Sequence, residues 1–329
     1  MTSRFSGRNV LITGGLGFVG SNLAIRLVGE GANITLVDSL IPEYGGNLRS
    51  IAGIESQVRL NVSDVRDEYS FAHLVQGQDF LFNLAGQTSH IDSMADPYTD
   101  LAINARAQLS ILEACRRHNR EITIVFASTR QIYGRPLYLP VDEKHPIQPV
   151  DINGVNKAAG ESFHHVYHDV YGIRSCSLRL TNTYGPRMRV KDARQTFLGV
   201  WIRSVLEGTP FEVWGGDQLR DFNFVDDVVD ALLRAAVTPS CLGMALNLGD
   251  AEPMKLRDVA ELLISVNGGG TYEIKDFPAE RRAIEIGDYY TDFSKAREVL
   301  GWSPRVSFRE GLERTLAFFR ETLEHYTER

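Results

Sequence analysis

One segment constrains this chain more than any other. Thr13-Gly14-Gly15-Leu16-Gly17-Phe18-Val19-Gly20 stands between a β-rich run, Asn9 to Ile12, and an amphipathic stretch, Gly17 to Gly29, that reads as a helix. In that setting glycines permit a tight turn, close approach of backbone to a pyrophosphate, and close packing of the helix on the strand. The helix start then offers unpaired N–H groups and a positive dipole end to phosphates, around Gly17, Phe18, Val19 and Gly20. Asp38 ends the next β-rich run, Ile34 to Val37, and no Arg or Lys follows it before Arg49. Its carboxylate suits the ribose hydroxyls of an adenosine and repels a 2′-phosphate, so the pattern predicts NAD rather than NADP.

Further β-rich runs at Val58 to Leu60, Phe80 to Leu84 and Ile122 to Ala127 alternate with helical stretches, the clearest over Tyr98 to Arg117. Such alternation predicts the α/β class, a doubly wound parallel (Rossmann) sheet covered by helices on both faces. A helix over Gly154 to Tyr171 and a strand over Ser175 to Arg179 continue it, before a loop rich in Gly, Pro and Arg from Thr181 to Arg194. The expected division is a cofactor domain over residues 1–181, with later segments returning to it, and a smaller α/β substrate domain mainly over 182–329.

The net charge of −7 speaks against nucleic acid as a partner, which needs a basic surface. No run approaches the ~18 to 20 apolar residues of a membrane span, and the N-terminus lacks a signal-peptide pattern. Cys115, Cys176 and Cys241 lie far apart without metal-ligand spacing, so no metal is expected and a reducing, cytoplasmic setting fits.

These residues resemble the extended short-chain dehydrogenase/reductase family, in particular its nucleotide-sugar epimerases and dehydratases, from about Asn9 to Trp302. Asp64-Val65 is similar to the family's adenine-contacting pair. Leu84-Ala85-Gly86 is similar to the strand-end segment lining the cofactor, with Asn104 in the helix position behind it. Ser128-Thr129-Arg130-Gln131-Ile132-Tyr133-Gly134 resembles the segment that supplies the active-site Ser or Thr, and Thr129 matches that position. The resemblance implies tightly held NAD, a transient keto sugar, and a homodimer formed through the helices near Tyr98 to Arg117 and Gly154 to Tyr171.

The family places a Tyr-x-x-x-Lys on the next long helix, where the Lys holds the nicotinamide ribose and lowers the Tyr pKa for proton transfer. Here Lys157 is present, but Asn153 stands at the Tyr position. An amide has no titratable proton near neutral pH. Three readings are open: another residue supplies the base, the chemistry needs no phenolate, or the protein binds its ligands without turnover.

Two replacements for the base stand out. Lys191, after Asn182-Thr183-Tyr184-Gly185-Pro186-Arg187, resembles an acid/base Lys of members that epimerise beside a keto carbon; alternatively it joins Arg187, Arg189 and Arg194 in attracting phosphate. His90, in Gln87-Thr88-Ser89-His90, follows a strand end and is a residue type suited to proton transfer, though a loop His also serves as a structural donor. A water held by Asn153 is the third option. Arg130 and Gln131 stand where sugar 4,6-dehydratases carry an Asp-Glu pair, which argues against dehydratase chemistry and weakens a decarboxylase reading.

At the substrate end, the resemblance assigns Asn182 and Arg220 to the diphosphate, and Arg282 with Glu285 to the diphosphate and nucleoside ribose; Arg187 is a further candidate contact to the phosphorylated ligand. Arginine suits that task because its planar fork donates two parallel hydrogen bonds. The function implied is NAD-dependent epimerisation of a nucleotide-activated sugar with a non-standard acid/base. A keto-sugar reductase and a catalytically silent NAD and nucleotide-sugar binding protein are the alternatives.

Overall fold

The computed structural model describes residues 3–194, 196–278, 282 and 284–327. Its first half contains β1 (Asn9–Thr13), α1 (Phe18–Gly29), β2 (Asn33–Asp38), β3 (Val58–Val62), α2 (Glu68–Leu74) and β4 (Phe80–Asn83). There follow α3 (His90–Ala95), α4 (Pro97–Leu101), α5 (Ala107–His118), β5 (Thr123–Thr129), α6 (Ile152–Tyr171) and β6 (Arg174–Leu180). Seven strands make one parallel sheet, the seventh returning from late in the chain at Ala245–Asn247 to pair with β6. From β1 the chain winds outward through β2 to β3, then crosses back to β4, β5 and β6 on the other side. The reversal falls between β1 and β4, the place where doubly wound sheets open a crevice beyond their strand ends.

β1 sits at the centre because its side chains are apolar on both faces, as a doubly covered parallel strand requires. Val10 and Ile12 pack into one core with Leu23 and Leu27 of α1 and with Val228 and Leu232 of the helix Val225–Val237. Leu11 enters the opposite core with Phe71 of α2, Ile111 and Leu112 of α5, and Tyr167 of α6.

The helical stretch expected over Tyr98 to Arg117 is interrupted. α4 and α5 are joined by a π-turn, Ala102–Arg106. That turn carries the buried Asn104. Beyond β6, the second half contributes small two-stranded pairs. Asn182–Tyr184 lies parallel to Phe222–Phe224, Phe211–Trp214 parallel to Tyr272–Lys275, and Leu219–Arg220 antiparallel to Met254–Lys255.

A buried ion pair clamps α6 to β6. Arg179 and Glu161 are 6% and 7% exposed, and the Arg179 Nε donates to Glu161 Oε2 at 3.0 Å. The same guanidinium donates to the Tyr133 hydroxyl, which donates to Asn247 Oδ1 at 2.7 Å, so one charge cluster ties three sheet-end segments together. Removing one partner leaves a buried charge uncompensated, which costs ~3–5 kcal/mol. Glu161→Ala is therefore expected to lose that much unfolding free energy in urea titration; a loss under ~1 kcal/mol would show that the pair does not hold this junction.

Candidate active site

A cleft of about 820 Å³ opens at the strand ends, lined by Gly14, Gly17, Phe18, Val19 and Gly20 along one wall. Two of these glycines are required by space. Gly14 has φ +65°, and a Cβ on it would lie 3.1 Å from the Ala85 backbone N; a Cβ on Gly20 would lie 2.2 Å from the Gly14 carbonyl oxygen. The N-cap of α1 is Gly17, whose lack of a side-chain cap leaves the first-turn N–H groups for a phosphate.

Asp38 ends β2 with its carboxylate buried against this turn, accepting from Leu16 N at 3.0 Å and Leu40 N at 2.9 Å. Burial pushes its pKa up, and the two backbone bonds hold it back. Each oxygen keeps a lone pair for a ribose hydroxyl. Gly46 also belongs to this pocket, since a Cβ there would meet Asp38 Oδ1 at 2.4 Å. Asp64, Val65, Leu84, Ala85 and Gly86 continue the lining. Thr13 Oγ1 receives the Leu84 and Ala85 N–H groups at 3.0 and 3.1 Å, which fixes that strand end. Glycine cradle, open helix end and ribose carboxylate together fit a dinucleotide.

The other wall is formed by the ends of β5 and α6. Thr129 closes β5 and lines the cleft, its hydroxyl accepting the Gln131 N–H at 3.2 Å. Lys157 donates from Nζ to the Ala127 carbonyl at 3.1 Å, and its ammonium lies where a Cβ on Gly86 would meet it at 2.9 Å. Burial pulls the Lys157 pKa down to about 8, with the Asp100 charge opposing.

Asn153 also lines the cleft, and its amide is engaged by its neighbours. Its Nδ2 donates to the Gln87 carbonyl at 2.7 Å and to Asp100 Oδ2 at 2.9 Å. Asp100, fully buried, also accepts from Asn104 Nδ2 at 3.0 Å and Asn156 Nδ2 at 2.8 Å. The amide that replaces the expected tyrosine is thus one of three that solvate a buried carboxylate.

His90 opens α3 and bridges Asp151 and Gln131. Its Nδ1 is hydrogen-bonded to Asp151 Oδ2, and its Nε2 lies 2.7 Å from the Gln131 amide nitrogen. With Gln131 donating, Nε2 is the bare acceptor and the proton sits on Nδ1, facing the carboxylate. The His90 side chain is 39% exposed to the cleft, whereas that of Asp151 is 1% exposed. Burial works to raise the Asp151 carboxyl, but the His90 bond and charge, the Gly154 N–H and the Arg130 charge outweigh it, leaving it below the ordinary range. Asp151 Oδ1 also accepts from Gly154 N at 2.7 Å, capping α6.

The profile of the NAD dependent epimerase/dehydratase family matches residues 10–249. This chain belongs to that family. The UDP-glucose 4-epimerase of Mycolicibacterium smegmatis is 31% identical to it over 94% of this chain and 98% of that protein. UDP-glucuronic acid decarboxylase 1 of Xenopus tropicalis is 30% identical over 97% of this chain and 73% of its own length. The solved epimerase of the methanogen Methanothermobacter thermautotrophicus superposes with a TM-score of 0.90 at 26% identity, covering 97% of this chain and 94% of that one. NAD is the cofactor of this family member, and the glycine turn, Asp38 and Lys157 would hold it.

Within this epimerase/dehydratase, Asn182, Arg187, Arg220 and Glu285 line the same cleft as Thr129 and His90. Arg220 is already engaged, with Nη2 on Glu285 Oε1 at 2.8 Å and Nη1 on the Leu219 carbonyl at 2.8 Å. Arg187 spends its fork on Ser50 O at 3.0 Å and Asn22 Oδ1 at 3.2 Å. Lys191 and Arg282 do not line the cleft. Lys191 lies before the helix Phe197–Glu207 and its carbonyl accepts from Arg203 of that helix; Arg282 is exposed. Asn104 sits behind the lining, and Asp100, Gln131 and Asp151 join the site through their bonds to Asn104 and His90.

Because the buried Lys157 titrates near 8 against 10.5 when unfolded, below pH 8 its charge favours the unfolded chain. That penalty fades as pH rises from about 8 to 10.5, where the unfolded chain still holds the proton that the folded one has released. Lys157→Met is expected to abolish turnover while raising Tm by a few degrees at pH 7, with the gain shrinking towards pH 10. A lower Tm at pH 7 would contradict the assignment of that charge as one whose burial costs more than Asp100 and the Ala127 carbonyl return.

Proposed function

We propose that this NAD-dependent enzyme epimerises a nucleotide-activated sugar through a transient ketone, with His90, backed by Asp151, as its acid/base. The observation that carries the reading is the His90–Asp151 pair opening into the cleft beside Thr129, while Asn153 is committed to Asp100. NAD, held by the glycine turn, Asp38 and Lys157, would supply the hydride acceptor and donor for the reacting carbon. Thr129 donates a hydrogen bond to the reacting oxygen, and the bare Nε2 of His90 takes its proton once the Gln131 amide gives way. The imidazolium that forms keeps its Nδ1–H on Asp151, whose depressed pKa keeps the carboxylate ionised and the ring oriented. Reduction of the ketone takes that proton back, so the site ends each cycle as it began.

Lys157 keeps its ammonium against Gly86 for the nicotinamide ribose. Residues 1–181 serve the cofactor and 182–329 mainly the sugar nucleotide, with Asn182 and Arg220 at its diphosphate. A homodimer is supported by an exposed apolar stripe formed by Tyr98 and Leu101 of α4, Leu109 of α5, and Val155, Val166 and Val170 of α6. Among the described residues no helix is long and apolar enough to cross a membrane, and three buried free cysteines fit a cytoplasmic setting.

Asp151→Asn retains an acceptor for the Gly154 N–H, so α6 keeps its cap while the histidine loses its counter-charge. It and His90→Gln are each expected to lower kcat by ~10²–10⁴ with little change in KM, whereas Lys191→Met stays near wild type. Wild-type rates in His90→Gln would remove the histidine from the reaction. For the assembly, Val166→Glu with Val170→Glu is expected to halve the mass in sedimentation equilibrium; an unchanged mass would place the subunit contact elsewhere.

A further inference from the structure

Among the described residues five arginines line the cleft, and four are anchored. Arg187 and Arg220 are held as described, Arg189 pairs with Asp192 at 2.6 Å, and Arg194 pairs with Asp92 at 2.8 Å. Arg130 is different: among the described residues its guanidinium has no hydrogen bond and no ion pair, only the face of the Tyr289 ring 4.9 Å away. It is half-buried, and the acidic groups that act on it electrostatically, Asp221 and Glu285, are already occupied. Asp221 accepts from the Thr181 hydroxyl at 2.5 Å and the Thr291 N–H at 3.1 Å, and Glu285 from Arg220. Asp151, which feels the Arg130 charge in turn, is taken by His90 and Gly154. Burial and the nearby Arg220 both push the Arg130 pKa down, as a cation short of an anion requires.

The place of this charge is informative. Arg130 directly follows Thr129, at the reacting end, and influences Asp151 on one side and Arg220 on the other. A ligand reaching from Asn182 and Arg220 to Thr129 and His90 would lay its sugar ring beside this guanidinium. We propose that Arg130 receives a carboxylate carried on the sugar ring, so that the preferred substrate is a nucleotide-linked uronic acid and not a neutral hexose. The proposal rests on the nucleotide-sugar reading above. Arginine's fork matches a carboxylate bidentately, and a neutral sugar would leave the half-buried guanidinium unpaired. The proteins this chain is similar to include one named for UDP-glucose and one named for UDP-glucuronic acid, so ring charge is a difference that this family meets.

The test is calorimetric titration of NAD-loaded wild type and Arg130→Met with UDP, UDP-glucose and UDP-glucuronic acid. Wild type is expected to bind UDP-glucuronic acid at least tenfold more tightly than UDP-glucose. Arg130→Met is expected to erase that gap and leave UDP within twofold of wild type. Equal affinities of wild type for the two sugars, or a gap that survives in the variant, would overturn the proposal. A tenfold loss for UDP itself at unchanged Tm would also overturn it, by assigning Arg130 to the diphosphate. Should Arg130→Met fail to fold, Arg130→Lys keeps the charge but not the fork and is expected to lose most of the gap; a full gap there overturns the bidentate assignment. Absence of UDP binding to wild type would refute the nucleotide-sugar reading and this proposal with it, whereas sound UDP binding without sugar discrimination refutes this proposal alone.

Discussion

The active-site wall depends on one buried carboxylate. Asp100 has no exposed surface, and its charge is solvated by the amides of Asn104, Asn153 and Asn156. Those three donors come from the π-turn after α4 and from the first two turns of α6, so the carboxylate ties two helices together at the point where the cofactor pocket meets the substrate cleft. Leaving any of its oxygens unsatisfied would carry the full desolvation penalty of a buried charge. The same carboxylate acts on the Lys157 ammonium, opposing its deprotonation. Position 153 is thereby held by hydrogen bonding, and the function proposed above gives proton transfer to another part of the wall.

That part is the capping turn of α6. A carboxylate at a helix N-cap normally satisfies backbone N–H groups, and Asp151 does so with one oxygen. Its second oxygen is spent on His90. In the function proposed above, a structural cap and the orienter of the acid/base are the same residue. The cleft then has a polar end carrying a hydroxyl, an ammonium and an imidazole at Thr129, Lys157 and His90, and a cationic flank at Arg130 and Arg220, the arrangement that a ligand with one reacting hydroxyl and an anionic body would meet.

What was legible in the sequence was what local spacing carries. The glycine turn, Asp38, Thr129 and Lys157 each stand at fixed offsets from a strand end or helix start, and the structure puts them on one cleft. The parallel sheet followed from apolar runs alternating with helical ones. Three things were not legible. Periodicity over Tyr98 to Arg117 is blind to a single π-turn, which adds one residue to the helical repeat and turns Asn104 inward. Asp151 precedes a helix whose start was placed at Gly154, so the cap signal lay outside the expected element although an Asp before a helix is a recognisable one. The offset of Lys191 from Asn182 suggests a place in the cleft, but offsets along an irregular loop do not say which residues face it, and there Arg187, Arg189 and Arg194 do.

The measurement that tests the central claim most directly is turnover of nucleotide sugars in D2O, followed by NMR and mass spectrometry. A proton held between His90 and the reacting oxygen exchanges with solvent, whereas a hydrogen carried on carbon through the cofactor does not. The account predicts an inverted sugar with no deuterium on carbon and with added NADH neither consumed nor formed. Deuterium at or beside the inverted carbon would mean that a carbanion forms and would contradict hydride transfer governed by the His90–Asp151 pair.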